Sequence, residues 1–213
     1  MRVNEVLGIL VSVFLDWDGT LANLNCARVG STIAWNGFEP AILPPAMTPT
    51  DVAELAARRQ YTFQIVEDGS PIQLVYGFNT TGEDLVSAHL AYYQAGTTQD
   101  QAEYPSEFAP VPWLRIDYDR GRANNVLHGE CHLHVSGLPT ARLLVCGVPN
   151  PKQFVEFILA VFYPTMYRQA RLQENGDYVD LERIKRVNEP PIVCGSAQLF
   201  RLMTHLRVSG GDS

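Results

Sequence analysis

The chain is poor in lysine. Lys152 and Lys185 are the only two among 213 residues, and the other fourteen of its sixteen strong cations are arginines. Against 23 acidic residues this leaves a formal net charge of −7. Phosphate contacts made by cations supply most non-specific affinity for nucleic acid, so the charge balance does not favour a general nucleic-acid binder. Cysteine is also scarce. Cys26, Cys131, Cys146 and Cys194 are scattered and include no CxxC pair, which argues against a disulfide scaffold and a cysteine-only zinc site. Long apolar runs are missing too. The stretch Leu7 to Leu15 is interrupted by Gly8 and Ser12 and falls short of the roughly 20 residues a membrane span needs. Glu5 precedes it, Asp16 and Asp18 follow it, and no small-x-small cleavage pattern is present. The expectation is a cytoplasmic protein with no membrane role. No internal repeat or low-complexity tract is visible.

What is present is enough for a sizeable core: 46% of residues are hydrophobic and 18% charged. The length fits one large domain. Charge is unevenly spread. Residues 1–114 hold 4 basic and 13 acidic residues, a balance of −9, and residues 115–213 hold 12 and 10, a balance of +2. The acidic half suits a basic protein partner, encoded nearby, and an anionic ligand would meet the other half.

Residues 3–15 read as an amphipathic helix with Val3, Val6, Leu7, Leu10, Val11 and Phe14 on one stripe, with a strand at Val11–Leu15 as the alternative. Prolines 40, 44, 45 and 49 mark an extended link, after which Thr50 caps a short helix through Arg59. The middle reads as a meander. Tyr61, Phe63 and Ile65 alternate, as do Ile72, Leu74, Tyr76 and Phe78, with turn chemistry at Glu67–Pro71 and Asn79–Gly82. Leu85–Tyr93 is a further strand, residues 95–110 a loop, and Trp113–Tyr118, Cys131–Val135 and Arg142–Cys146 three more strands. Asn150 then caps a helix with Pro151 at its first position, Gln153 to complete a capping box, and Phe154, Phe157, Ile158, Val161 and Phe162 as its buried stripe. Thr165–Gln173 continues it. Strands followed by helices predict an α+β fold: one domain with helix and linker over 1–59, an antiparallel sheet over 60–146, and a helical part over 150–207.

The densest chemistry lies in Arg115-Ile-Asp-Tyr-Asp119 and His128-Gly-Glu-Cys-His-Leu-His-Val135. Alternate residues of a strand share a face. Arg115 and Asp117 therefore point one way, and so do His132 and His134, while Ile116, Leu133 and Val135 point the other. Pairing the two strands would gather both imidazoles, a guanidinium and a carboxylate, with His128 joining from the loop. Two chemistries suit this set. Histidines can act as general acid and base while Arg115 stabilises a phosphoryl oxyanion. Alternatively His132 and His134, with Asp117 or His128, can hold a divalent metal with a position left open. The bland alternative is a half-solvated strand face whose histidines bond only to neighbours. His89 and His205 stand alone and read as structural.

A second pattern, Phe14-Leu-Asp-Trp-Asp-Gly-Thr-Leu21, matches the first motif of phosphatases of the haloacid-dehalogenase type. There Asp16 would be the nucleophile and Asp18 the acid/base beside a magnesium ion, with Ser136, Lys152 and Asp177 to Asp180 as later pieces. That family needs a parallel sheet, and residues 60–93 read as hairpins; Asp-Gly is also common turn chemistry.

An ordered series of pieces resembles one family across most of the chain. The pieces are Ile33-Ala-Trp35, Tyr61-Thr-Phe63, Glu67-Asp-Gly-Ser-Pro-Ile-Gln-Leu-Val-Tyr76, His89-Leu-Ala-Tyr-Tyr93, Leu114-Arg-Ile-Asp-Tyr-Asp119, His128-x-x-x-His132-Leu-His-Val135 and Pro151 to Tyr163. The family is the bacterial one known as domain of unknown function 2290. Members have His-Pro where this chain has His128-Gly129, and often threonine at the place of His134, so the resemblance favours His128 and His132. It associates no DxDGT motif with the family and carries no activity; it implies a setting in bacterial defence islands or toxin–antitoxin loci. The spacing of Arg115, Asp117, His128, His132, His134 and, one residue late, Gly137 also resembles a smaller family of suspected toxins, which implies RNase-like or nucleotide-processing chemistry. The expected function is a defence or toxin–antitoxin component with a histidine-centred phosphodiesterase site. The alternatives are a non-catalytic protein-binding subunit of a defence complex and the aspartyl phosphatase.

Overall fold

A computed structural model describes residues 1–38, 47–95, 112–121, 131–136, 143–145 and 147–175. Among them are four helices and nine strands, in the order α1 (Val3–Asp16), β1 (Leu21–Ala22), β2 (Ala27–Val29), β3 (Thr32–Ala34), α2 (Pro49–Ala57), β4 (Phe63–Ile65), β5 (Pro71–Phe78), β6 (Leu85–Tyr93), β7 (Trp113–Asp119), β8 (Cys131–Val135), β9 (Leu143–Leu144), α3 (Pro151–Phe162) and α4 (Pro164–Asn175). The strands form one sheet in the order β1-β4-β5-β6-β7-β8-β9, with β3 beside β5 and β2 beyond it. Every pairing of these strands is antiparallel. The fold is α+β, as the run of strands followed by helices predicts.

Alternation builds the core. On one face Leu74 lies opposite Leu90, Leu90 opposite Ile116, and Ile116 opposite Leu133. All four are buried, and α1 and α3 pack over them with Val6, Leu10, Val13, Phe154, Ile158 and Leu159. Two tyrosines fasten α3 to the sheet: Tyr76 donates to the carbonyl of Pro149 at 3.1 Å, and Tyr163 donates to Asp68 at 2.7 Å. The other face carries a small apolar cluster of Ala91, Tyr93 and Trp113 under Met47 and Val52 of the α2 segment. Beyond it, toward β8, that same face becomes polar. None of the described helices is long and apolar enough to cross a membrane.

Residues 3–16 are helical, not a strand, and the buried line is Val3, Val6, Leu10 and Val13. Val11 lies off the expected stripe and is 47% exposed. Helix α2 is capped by Thr48, two residues before the expected Thr50. Pro49 takes the first helical position, and the Thr48 side chain accepts from the Asp51 amide while the Asp51 carboxylate accepts from the Thr48 amide. Asn150 caps α3 as expected, with Gln153 closing the box. The stretch expected as helix and linker over 1–59 also contributes β1, β2 and β3 to the sheet. Trp17 stacks on Tyr167 with ring centroids 5.7 Å apart, which ties α4 to the end of α1. Of the loop expected at 95–110, residues 96–110 lie outside the described residues, as does everything from 176 onward, including Asp177, Asp180 and His205.

Ile116 is fully buried at the centre of the sheet. Ile116→Ala should cost about 2–5 kcal/mol and Asn150→Ala about 1 kcal/mol in urea unfolding. Equal costs would contradict the ranking of core over cap.

Candidate functional site

Three neighbouring strands assemble the polar patch. In register, His89 of β6 lies opposite Asp117 of β7, and Asp117 lies opposite His132 of β8. One row along, Ala91, Arg115 and His134 are partners in the same way. The sheet thus carries a His–Asp–His row beside an Arg–His row, and the reverse side of the same strands is Leu90, Ile116 and Leu133 in the core.

Asp117 is the centre. Its Oδ1 is 2.8 Å from His89 Nδ1, and its Oδ2 accepts from Arg115 Nε at 2.8 Å. His134 Nε2 stands 3.5 Å and His132 Nε2 4.0 Å from that same Oδ2. The two imidazoles of β8 meet edge to face, with ring centroids 4.8 Å apart. Three imidazoles and one guanidinium converge on one carboxylate. His134 is buried, whereas the Asp117, His89, Arg115 and His132 side chains remain 19–27% exposed, so solvent reaches the patch.

Burial alone would push the Asp117 carboxyl up. The hydrogen bond and charge of His89, together with the charges of Arg115 and His134, outweigh it and hold the group below its ordinary value. Asp117 is accordingly an acceptor at neutral pH. The hydrogen bond at Nδ1 fixes the His89 ring, and its Nε2 is buried with no hydrogen-bond partner among the described residues. Cys131, adjacent in sequence, faces the core, where burial raises its thiol to about 12. Burial there disfavours the thiolate.

Of the residues singled out from sequence, Arg115, Asp117, His132 and His134 come together. His128 lies outside the described residues. His89, read as isolated and structural, makes the shortest contact any imidazole has with Asp117 among the described residues. Its only sequence signal is the alternation of Ser87, His89 and Ala91 against Ala88, Leu90 and Tyr92. Asp117, His132 and His134 are also the one group of three or more such side chains among the described residues placed to share a metal ion, with ligand atoms all within 4.8 Å of one another.

Asp16 and Asp18 lie elsewhere. Asp16 is the last residue of α1 and pairs with Lys152 Nζ at 2.9 Å. The lysine required by the phosphatase reading does reach it, as a bridge between α1 and α3. The phosphatase nucleophile, however, belongs at the end of a strand in a parallel sheet. Here the carboxylate sits at a helix C-terminus, whose partial negative charge opposes a phosphate, beside an antiparallel sheet.

Asp117→Asn leaves Arg115 and His89 without their charge partner and should cost about 1–3 kcal/mol, whereas Asp16→Asn, which breaks a surface pair, should cost less than about 1 kcal/mol. Urea unfolding of the two variants checks the order. The reverse order would mean that the histidine patch does not depend on Asp117.

A search of curated proteins and a search of solved structures each return no match. A family model does match, over residues 21–193, and its description is uncharacterized conserved protein (DUF2290). The matched stretch contains the whole histidine patch and begins after Asp16 and Asp18. It covers most of the 213 residues, and the chain belongs to the DUF2290 family.

Proposed function

We propose that the chain is a histidine-centred hydrolase of phosphate esters, with phosphodiesters of nucleic acid as the class that suits it best. The observation that carries this reading is the convergence of His89, His132, His134 and Arg115 on the Asp117 carboxylate, on a face that solvent reaches. Cleaving a phosphodiester needs an activated attacking oxygen, stabilised charge on the phosphoryl oxygens, and a proton for the leaving oxygen. Arg115 supplies the second, because its planar guanidinium keeps donors free after Nε has bonded to Asp117. The imidazoles supply the first and third, by direct proton transfer or through a bound cation. Asp117 holds the set in place.

A chain of net charge −7 has little general attraction for nucleic acid. Recognition would therefore be local, confined to a short stretch of substrate at the patch. The biological setting in this reading is a bacterial defence or toxin–antitoxin system, which rests on the resemblance alone. The −9 balance of residues 1–114 supports a basic protein partner in that system, and if the patch has no activity, a binding subunit is what remains.

His132 is the residue to change, because its partly exposed ring contributes less packing than the buried His134. Wild-type protein incubated with labelled single-stranded RNA, with and without added divalent metal, should yield cleaved product. His132→Ala should lower the rate by about 10²–10⁴-fold with an unchanged circular dichroism spectrum. Absence of cleavage in every condition would end the reading, as would full activity in the variant. A variant that unfolds would assign His132 a structural role.

A further inference from the structure

The site's ligand chemistry can be taken one step further, to the ion it holds. We propose that Asp117 Oδ2, His132 Nε2 and His134 Nε2 form a site for a divalent transition-metal ion, with zinc as its closest match. The inference concerns the same patch as the hydrolase reading, but it stands on ligand geometry and is testable without any substrate.

Two imidazoles and one carboxylate are a donor set that suits zinc or iron(II) and not magnesium or calcium, which take oxygen ligands. Ligand atoms bonded to one tetrahedral zinc at about 2.0–2.1 Å stand about 3.3–3.5 Å apart. His134 Nε2 and Asp117 Oδ2 are already 3.5 Å apart. His132 Nε2 stands 4.0 Å from Oδ2, and because the set spans up to 4.8 Å its ring has to swing in by up to about 1.5 Å to complete the site. All three donor atoms lie within 4.8 Å of one another. The backbone does not have to move, because the three residues sit on two strands locked in register, with Asp117 directly opposite His132.

The surroundings fit the same assignment. His89 Nδ1 holds the far oxygen, Oδ1, at 2.8 Å and so aims Oδ2 at the two β8 imidazoles. That is the role outer-shell partners play at metal sites. Arg115 bonds to Oδ2 by Nε, and a carboxylate oxygen accepts more than one partner. The guanidinium then lies beside the ion and faces whatever fills the remaining coordination position. A phosphate oxygen bound there would meet both positive groups at once.

The experiment is a zinc titration of the full chain, stripped with chelator, followed by calorimetry, with cobalt(II) absorption as a second readout. One ion per chain should bind, and a large excess of magnesium should not compete. His89→Ala should weaken binding by about 10–100-fold, the usual effect of losing an outer-shell partner, and His132→Ala by more. His132→Asn, a smaller change to the fold, should weaken it as well. Variants that bind zinc as wild type does would overturn the proposal, and so would a wild-type chain that binds none. The two readings fail separately. Zinc binding without RNA cleavage leaves the metal site and removes the hydrolase. Cleavage that survives chelation, in a chain with no zinc affinity, does the opposite.

Discussion

The patch depends on one constraint, the antiparallel register of β6, β7 and β8. Side chains alternate along a strand, so every residue that faces the helices fixes the direction of its neighbours. Leu90, Ile116 and Leu133 are held in the core by α1 and α3. Their burial obliges His89, Asp117 and His132 to share the opposite face. Apolar packing thus fixes a polar geometry that the polar groups alone would not hold. A slip of one residue in β8 would turn both imidazoles into the core and Leu133 outward, which penalises every register but this one.

A carboxylate that loses part of its water must be compensated. Asp117 is compensated by a hydrogen bond on Oδ1 and another on Oδ2, from residues on two different strands. This makes it both the anchor of the patch and the group most sensitive to loss of its neighbours. The contrast with Asp16 is instructive. Asp16 also has a close cation, but at the surface, where solvent screens the pair. Its Asp-x-Asp-Gly-Thr context reflects the end of a helix and the turn after it, with Gly19 at a φ of +77°.

Much of this was legible in the sequence. Cys131–Val135, Leu85–Tyr93 and the helix begun by Asn150 are long or sharply signalled, and they stand where alternation and capping place them. The pairing of Arg115 and Asp117 with the β8 histidines followed from the same alternation. Two things were not legible. Strands β1, β2 and β3 are two or three residues long, too short to show a period; β1 forms on β4, β3 on β5, and β2 only on β3. His89 was missed because a lone histidine says nothing about what lies across the sheet. Which residue faces Asp117 is settled by the register of β6 on β7, and that is a tertiary fact. The cap at Thr48 in place of Thr50 is a smaller case: Pro49, lacking an amide hydrogen, fits the first helical position and pulls the start of the helix back.

The patch is drawn from residues 45 positions apart along the chain, His89 to His134, with no local subset sufficient. A chain emerging from the ribosome exposes β6 first, then β7, and the imidazoles of β8 last. Until β8 has zipped onto β7, the cell meets an imidazole, a guanidinium and a carboxylate without their two partners. Any reactivity vested in this constellation would therefore switch on only when the sheet is complete.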